Sequence, residues 1–138
     1  MVATMRAHGA YTALVTGGLT FFTGRVAPAL GFHTVVANAV EIVDGKLTGR
    51  VREPISGPAT KRETLTGLAA KLGLALSETL AVGDGANDLP MVEAAGLGVA
   101  YHAKPVLSAR AWARIDHADL TALLYAQGYR QEEIKSQL

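Results

Sequence analysis

Leu80-Ala81-Val82-Gly83-Asp84-Gly85-Ala86-Asn87-Asp88-Leu89-Pro90-Met91-Val92-Glu93-Ala94-Ala95-Gly96-Leu97-Gly98-Val99-Ala100-Tyr101 sets the architecture of this chain. Thr79 to Val82 is a short apolar run ending at glycine, which reads as a buried strand. Gly83 to Asp88 is too rich in glycine and acid to be core. Leu89 to Gly96 reads as a helix, with Asp88 as cap, Pro90 in the first turn and Gly96 as stop. Leu97 to Ala100 is the next apolar run. Strand, acidic loop, helix and strand together make one unit of an α/β sheet.

In open α/β sheets the chemistry lies beyond the carboxyl ends of the strands. Asp84 and Asp88 fall at such an end, with Asn87 between them. Two carboxylates on one loop suit Mg²⁺, a hard cation that takes oxygen ligands and keeps several waters. Asp88 alone serves equally well as a helix cap. A turn needs one or two special residues, however, and the run from Gly83 to Asp88 has five.

The 138 residues, 49% of them hydrophobic, are enough to bury a core and suggest one domain over residues 1–138. Thirteen basic and 12 acidic residues leave a net charge of +1, which names no partner. No basic patch with interleaved aromatics argues for nucleic acid. The absence of cysteine excludes disulfides, zinc–thiolate sites and thiol catalysis. No apolar run reaches the ~20 residues of a membrane span, and no signal peptide pattern opens the chain. A cytoplasmic location is expected.

From the start, Met1 to Gly9 reads as the last turns of a helix, which leads us to expect a further segment upstream. Tyr11 to Val15 reads as a strand running into Thr16-Gly17-Gly18-Leu19-Thr20. Backbone N–H groups at such a strand end, with the Thr16 hydroxyl, form an anion cradle; a plain strand-to-helix turn fits the same residues. Phe21 to Leu30 continues as a helix that Pro28 should kink or end early. His33 to Ala37 is a strand, and Val40–Val43, Asp44-Gly45 and Lys46–Val51 form a hairpin. Thr60 and Glu63 have the spacing of a capping box, with Leu65, Leu68, Ala69 and Leu72 on one face and Gly73 at the end. Lys61 then lies in the first turn, where the helix dipole disfavours a cation. It is either solvated or partnered by a carboxylate or anionic ligand. Ala113 to Ile115 is a weak strand, Asp119 caps a helix to Ala126, and Gln131 to Leu138 is a charged tail. His8, His102, His117 and Trp112 read as structural.

Thr16-Gly17-Gly18, Lys61 and Gly83-Asp84-Gly85-Ala86-Asn87-Asp88 occur in the order of the second, third and fourth motifs of haloacid-dehalogenase-like phosphatases, which this chain resembles. Leu14 to Gly18, the Glu41–Arg50 hairpin and Ala81 through Pro105 are similar to the phosphoserine phosphatase family. Gly-Asp-Gly-x-Asn-Asp also occurs in P-type ATPases and sugar phosphatases, but nothing else here supports an ATPase.

The resemblance implies a Rossmann-like parallel sheet with a hairpin insertion. It also implies Mg²⁺-dependent phosphomonoester hydrolysis through an aspartyl-phosphate, with phosphoserine as the small phosphorylated substrate and serine biosynthesis as the setting. By that likeness Asp84 and Asp88 are metal-site residues, and Asp88 orients Lys61 or a metal-bound water. Thr16, Gly17, Gly18, Lys61 and Asn87 hold phosphate, with Lys61 and Asp88 in catalytic roles. Threonine at 16, where serine is commoner, keeps the hydroxyl. The family's first motif, Asp-x-Asp-x-Thr/Ser, supplies the nucleophile and is expected upstream of Met1. No Asp-x-Asp occurs in these residues, so this truncated core should be inactive alone. The alternative is a non-catalytic phosphate- or metal-binding module, or one part of a split enzyme. In the family fold the first-motif strand is central, between the strands ending at Thr16 and Val82. Its absence predicts an altered sheet, or a homo-oligomer formed through unpaired edges.

Overall fold

The computed structural model describes residues 1–135. The described backbone packs as two compact units: Met1–Ser56 with residues 121–135, and Gly57–Leu120.

The first unit opens with helix α1 (Val2–Ala7) and strand β1 (Ala13–Leu19), followed by α2 (Thr20–Leu30) and β2 (Thr34–Asn38). β1 and β2 pair in parallel, which requires a crossover connection, supplied here by α2. Pro28 neither ends nor shortens α2. The helix runs two residues past it and closes on Gly31, whose φ of 77° puts it in the left-handed region. Gly31 and Phe32 both donate to the Ala27 carbonyl, which ends the helix in place of the proline. The hairpin falls where Asp44-Gly45 puts it, between β3 (Val40–Val43) and β4 (Lys46–Val51). Both turn residues have positive φ, at 52° and 73°, as a tight two-residue turn demands. Helix α6 (Ala122–Ala126) returns to this unit and buries Leu123 and Leu124 completely. It starts after Thr121, later than an Asp119 cap implies. The end of the charged tail, residues 136–138, lies outside the described residues.

The second unit carries helix α3 (Pro58–Lys71), strand β5 (Leu80–Gly83), helix α4 (Leu89–Ala94), strand β6 (Leu97–Tyr101), helix α5 (Pro105–Ser108) and strand β7 (Ala113–Ile115). β5, β6 and β7 form a parallel sheet in that order. Leu80 to Gly83 pairs one-to-one with Leu97 to Ala100. Val92, Ala100 and Leu107 form the buried centre between α4, β6 and α5, with Leu89, Ala103 and Ala111 against it. Gly98 is required here, because a Cβ on it would collide with the Val92 carbonyl.

Among the described residues β1 has β2 as its one strand partner, and β5 has β6. On its other side neither β1 nor β5 has a strand partner among the described residues.

Candidate active site

Asp84, at the carboxyl end of β5, begins the acidic loop, which winds through a short 3₁₀ turn (Ala86–Asp88) directly into α4. The loop is sorted by burial: Asp84, Ala86 and Asn87 are exposed, while Gly85 and Asp88 are buried. Asp88 does not cap α4 with its carboxylate. Its side chain folds back, and Oδ2 accepts the N–H groups of Asp84 at 3.0 Å and Gly85 at 3.2 Å. The loop is thereby closed on itself. Gly83 makes this possible, since a Cβ there would overlap the Asp88 side chain. The Lys104 N–H donates to the Asp84 carbonyl at 2.9 Å and ties the segment after β6 to the same loop.

The second oxygen of Asp88 receives Lys61. Nζ donates to Oδ1 at 2.5 Å, and both residues are buried, at 6% and 5% exposure. Lys61 comes one turn later in α3 than a Thr60 cap would place it. The helix begins at Pro58 after Gly57, and the Thr60 hydroxyl instead accepts the Gly57 N–H at 3.2 Å. Lys61 is the first residue with a full intrahelical bond, to the Gly57 carbonyl. It also stands four residues before Leu65, on the stripe continued by Leu68 and Ala69, so helical periodicity turns its stem inward.

Burial pushes the Asp88 carboxyl upward. The hydrogen bonds from Lys61, Asp84 and Gly85, together with the Lys61 charge, outweigh that effect and leave it below its ordinary value. Asp88 is therefore an anion at neutral pH with both oxygens engaged. The Asp84 carboxylate takes no hydrogen bond or ion pair among the described residues.

Thr16, Gly17 and Gly18 belong to the first unit. They are part of β1 rather than a turn after it, but they leave the ladder. Ala13, Leu14 and Val15 face Thr34, Val35 and Val36, and the next pair is Leu19 with Asn38. Four steps along β1 thus match two along β2, and the surplus bulges out. The Thr16 Oγ1 accepts the Gly18 N–H at 2.9 Å. An oxygen that accepts there keeps its own O–H proton to donate elsewhere. Asn38, one residue beyond the strand expected over His33 to Ala37 and not among the expected site residues, donates from Nδ2 to the Gly17 carbonyl at 2.8 Å.

The seven residues singled out from sequence thus gather in two places. Lys61, Asp84, Asn87 and Asp88 sit on the acidic loop and the buried base of α3; Thr16, Gly17 and Gly18 form the β1 bulge. The model of the haloacid dehalogenase-like hydrolases matches residues 1–93, which include both places. The chain belongs to that family.

Its haloacid dehalogenase-like relatives include phosphoserine phosphatases. That of Streptomyces coelicolor is 43% identical over 136 residues, covering 99% of this chain and 33% of the relative. That of Vibrio cholerae is 44% identical over 120 residues, covering 87% of this chain and 37% of the relative. The chain therefore spans about a third of the length of these curated relatives. Among solved structures, a substrate-bound phosphoserine phosphatase complex superposes with a TM-score of 0.84 at 36% identity, covering 91% of this chain and 60% of the other. The unliganded probable phosphoserine phosphatase of Vibrio cholerae gives 0.82 at 42% identity, covering 92% and 42%. The α/β architecture with parallel strands is the fold of this family.

The loop fits a magnesium ion in kind. Its free donors are the hard oxygens of Asp84 and Asn87, and one or two carboxylates with waters and substrate phosphate make up a common Mg²⁺ shell. Among the described residues no cluster of three or more His, Asp or Glu side chains forms a complete cage.

Proposed function

We propose that this chain is, from end to end, the core of a phosphoserine phosphatase-like phosphomonoester hydrolase. The observation that supports this reading best is the division of labour between the two loop aspartates. Asp88 is buried, ionised and spent on holding Lys61 and the loop backbone. Asp84 is exposed at the strand end with its carboxylate free. A site that handles a phosphate needs a fixed cation and an unspent carboxylate for Mg²⁺. When bound, Mg²⁺ would neutralise charge between the phosphate and the carboxylates.

In this reading Asp84 holds the metal and Asn87 touches substrate or phosphate. Lys61 neutralises phosphate charge while Asp88 keeps it in place. With both its oxygens occupied, Asp88 acts through Lys61 in preference to joining the metal. The Thr16 hydroxyl and the Gly17 N–H bind phosphate oxygens. Phosphoserine is the proposed substrate, by the kinship of the relatives. The nucleophile would come from an Asp-x-Asp segment, of which these 138 residues hold none. An added strand, from such a segment or from a second copy, would pair with the side of β1, or with the side of β5, that has no strand partner among the described residues.

Isothermal titration with inorganic phosphate and Mg²⁺, alongside phosphate release from phosphoserine, tests this. The reading requires that the chain bind both ions and release no phosphate above a mock-purified control. Addition of a polypeptide bearing the Asp-x-Asp motif should restore turnover. Turnover by the chain alone would overturn the inactivity, and failure to bind either ion would remove the phosphatase reading. Binding without any rescue would favour the other reading, a non-catalytic phosphate- or metal-binding module.

A further inference from the structure

The bulge of β1 raises a physical problem. Thr16, Gly17 and Gly18 have no partner residues in the β1–β2 ladder, and two adjacent glycines are the most mobile backbone available. A phosphate cradle built on them requires something to fix the peptide groups before the ligand arrives.

Asn38 does this. It is the residue of β2 at which pairing with β1 resumes, and it is only 7% exposed. Its Nδ2 donates to the Gly17 carbonyl at 2.8 Å and lies 3.4 Å from the Ser56 carbonyl. Its Oδ1 accepts the Ser56 N–H at 2.6 Å. The amide orientation follows from these neighbours, because the flipped carboxamide would set its oxygen against two carbonyls and its NH₂ against an N–H. The Gly17 carbonyl and the Gly18 N–H belong to one peptide group. Asn38 holds the first and the Thr16 Oγ1 holds the second at 2.9 Å. That plane is clamped at both ends, and the Gly17 N–H with the Thr16 O–H is left for an anion. No other short side chain offers a donor and an acceptor side by side; aspartate lacks the donor, and serine is too short.

We infer that Asn38 is the positioning residue of the phosphate cradle, clamping the Gly17–Gly18 peptide against Ser56. The inference rests on the phosphate-binding reading of the Thr16–Gly18 bulge. It adds a residue that touches neither phosphate nor metal.

The test uses the full chain, inorganic phosphate with and without Mg²⁺, and ¹⁵N–¹H spectra of the Gly17 and Gly18 amides. Wild type should bind phosphate with a shift of the Gly17 resonance, and the Asn38 side-chain NH₂ should move along the same binding curve. Asn38→Asp, shown to be folded by circular dichroism, should bind phosphate at least ~10-fold more weakly. If Asn38→Asp does not fold, Asn38→Ser carries the same expectation, and the Asn38 NH₂ response needs no substitution at all. A folded Asn38 variant of wild-type affinity, or an NH₂ signal unmoved while Gly17 shifts, would overturn the inference and leave the cradle standing. A wild-type titration that moves neither glycine amide would overturn both.

Discussion

Lys61 Nζ lies 2.5 Å from Asp88 Oδ1, with both side chains 7% exposed, in the interior of the same unit. A buried ion pair of this kind is weak evidence for stability, because desolvation offsets most of the attraction. Breaking it is another matter. Lys61→Met leaves the Asp88 carboxylate buried with two amides and no cation, and the expected loss is about 3–5 kcal/mol. The double variant Lys61→Met/Asp88→Asn removes the orphan charge and should recover part of that. Urea denaturation with unchanged slope would measure both. A single variant as stable as wild type would mean that the pair is replaced by water without cost.

The lowered Asp88 pKa gives the loop a pH dependence of known sign. Its ordinary value is 3.8, and the folded value lies below that. A carboxylate of this sort contributes stability at pH values above its unfolded pKa. That contribution disappears as pH falls through the lower, folded value. The stability gap between wild type and Asp88→Asn should therefore be constant near neutrality and narrow as pH falls from about 5 to about 2. A gap that does not change over that range would show that Asp88 titrates as an ordinary surface carboxylate.

Some of this was legible in the sequence, and the reason is locality. Asp44-Gly45 needs only its own two positive φ angles to make a hairpin, and it lies where expected. The strand–loop–helix–strand run from Leu80 to Tyr101 likewise follows from patterns within a few residues. The errors arose where a partner decides. Thr60 looked like a cap because its hydroxyl precedes Glu63 at the right interval, but Gly57-Pro58 starts the helix earlier and Thr60 reaches back to it. Period-two alternation ends β1 at Val15, because it cannot show that two strands advance by unequal numbers of residues. Asn38 gave no signal at all. Its role depends on Gly17, 21 residues before it, and on Ser56, 18 residues after.

Gly83 offers a steric test of the loop. A Cβ at this position would overlap Asp88 Cβ and stand 2.6 Å from its Cγ and 2.7 Å from Oδ2. Gly83→Ala should push the Asp88 side chain away from Lys61 and from the two amides, at a cost of about 2–3 kcal/mol. In an Asp88→Gly background the obstructing side chain is gone, so the same substitution should be nearly neutral. Coupling close to zero in that double-mutant cycle would mean that the loop yields elsewhere.

Asp84 and Asp88 should respond oppositely to loss of charge, and the contrast separates ligand binding from structure. Asp84 is exposed and its carboxylate supports nothing in the fold, so Asp84→Asn should leave stability within about 0.5 kcal/mol of wild type. The neutral amide is a poor ligand for a hard divalent cation, and Mg²⁺ affinity should fall at least ~10-fold in a calorimetric titration. Asp88→Asn should do the reverse in kind: a large loss of stability from the unpaired lysine, with any loss of Mg²⁺ affinity following from displacement of Lys61 and the loop. Mg²⁺ binding that survives Asp84→Asn unchanged would remove Asp84 from the metal site. The remaining free oxygen ligand on the loop, Asn87, carries no charge, so the cation would then have to be held by groups outside this loop.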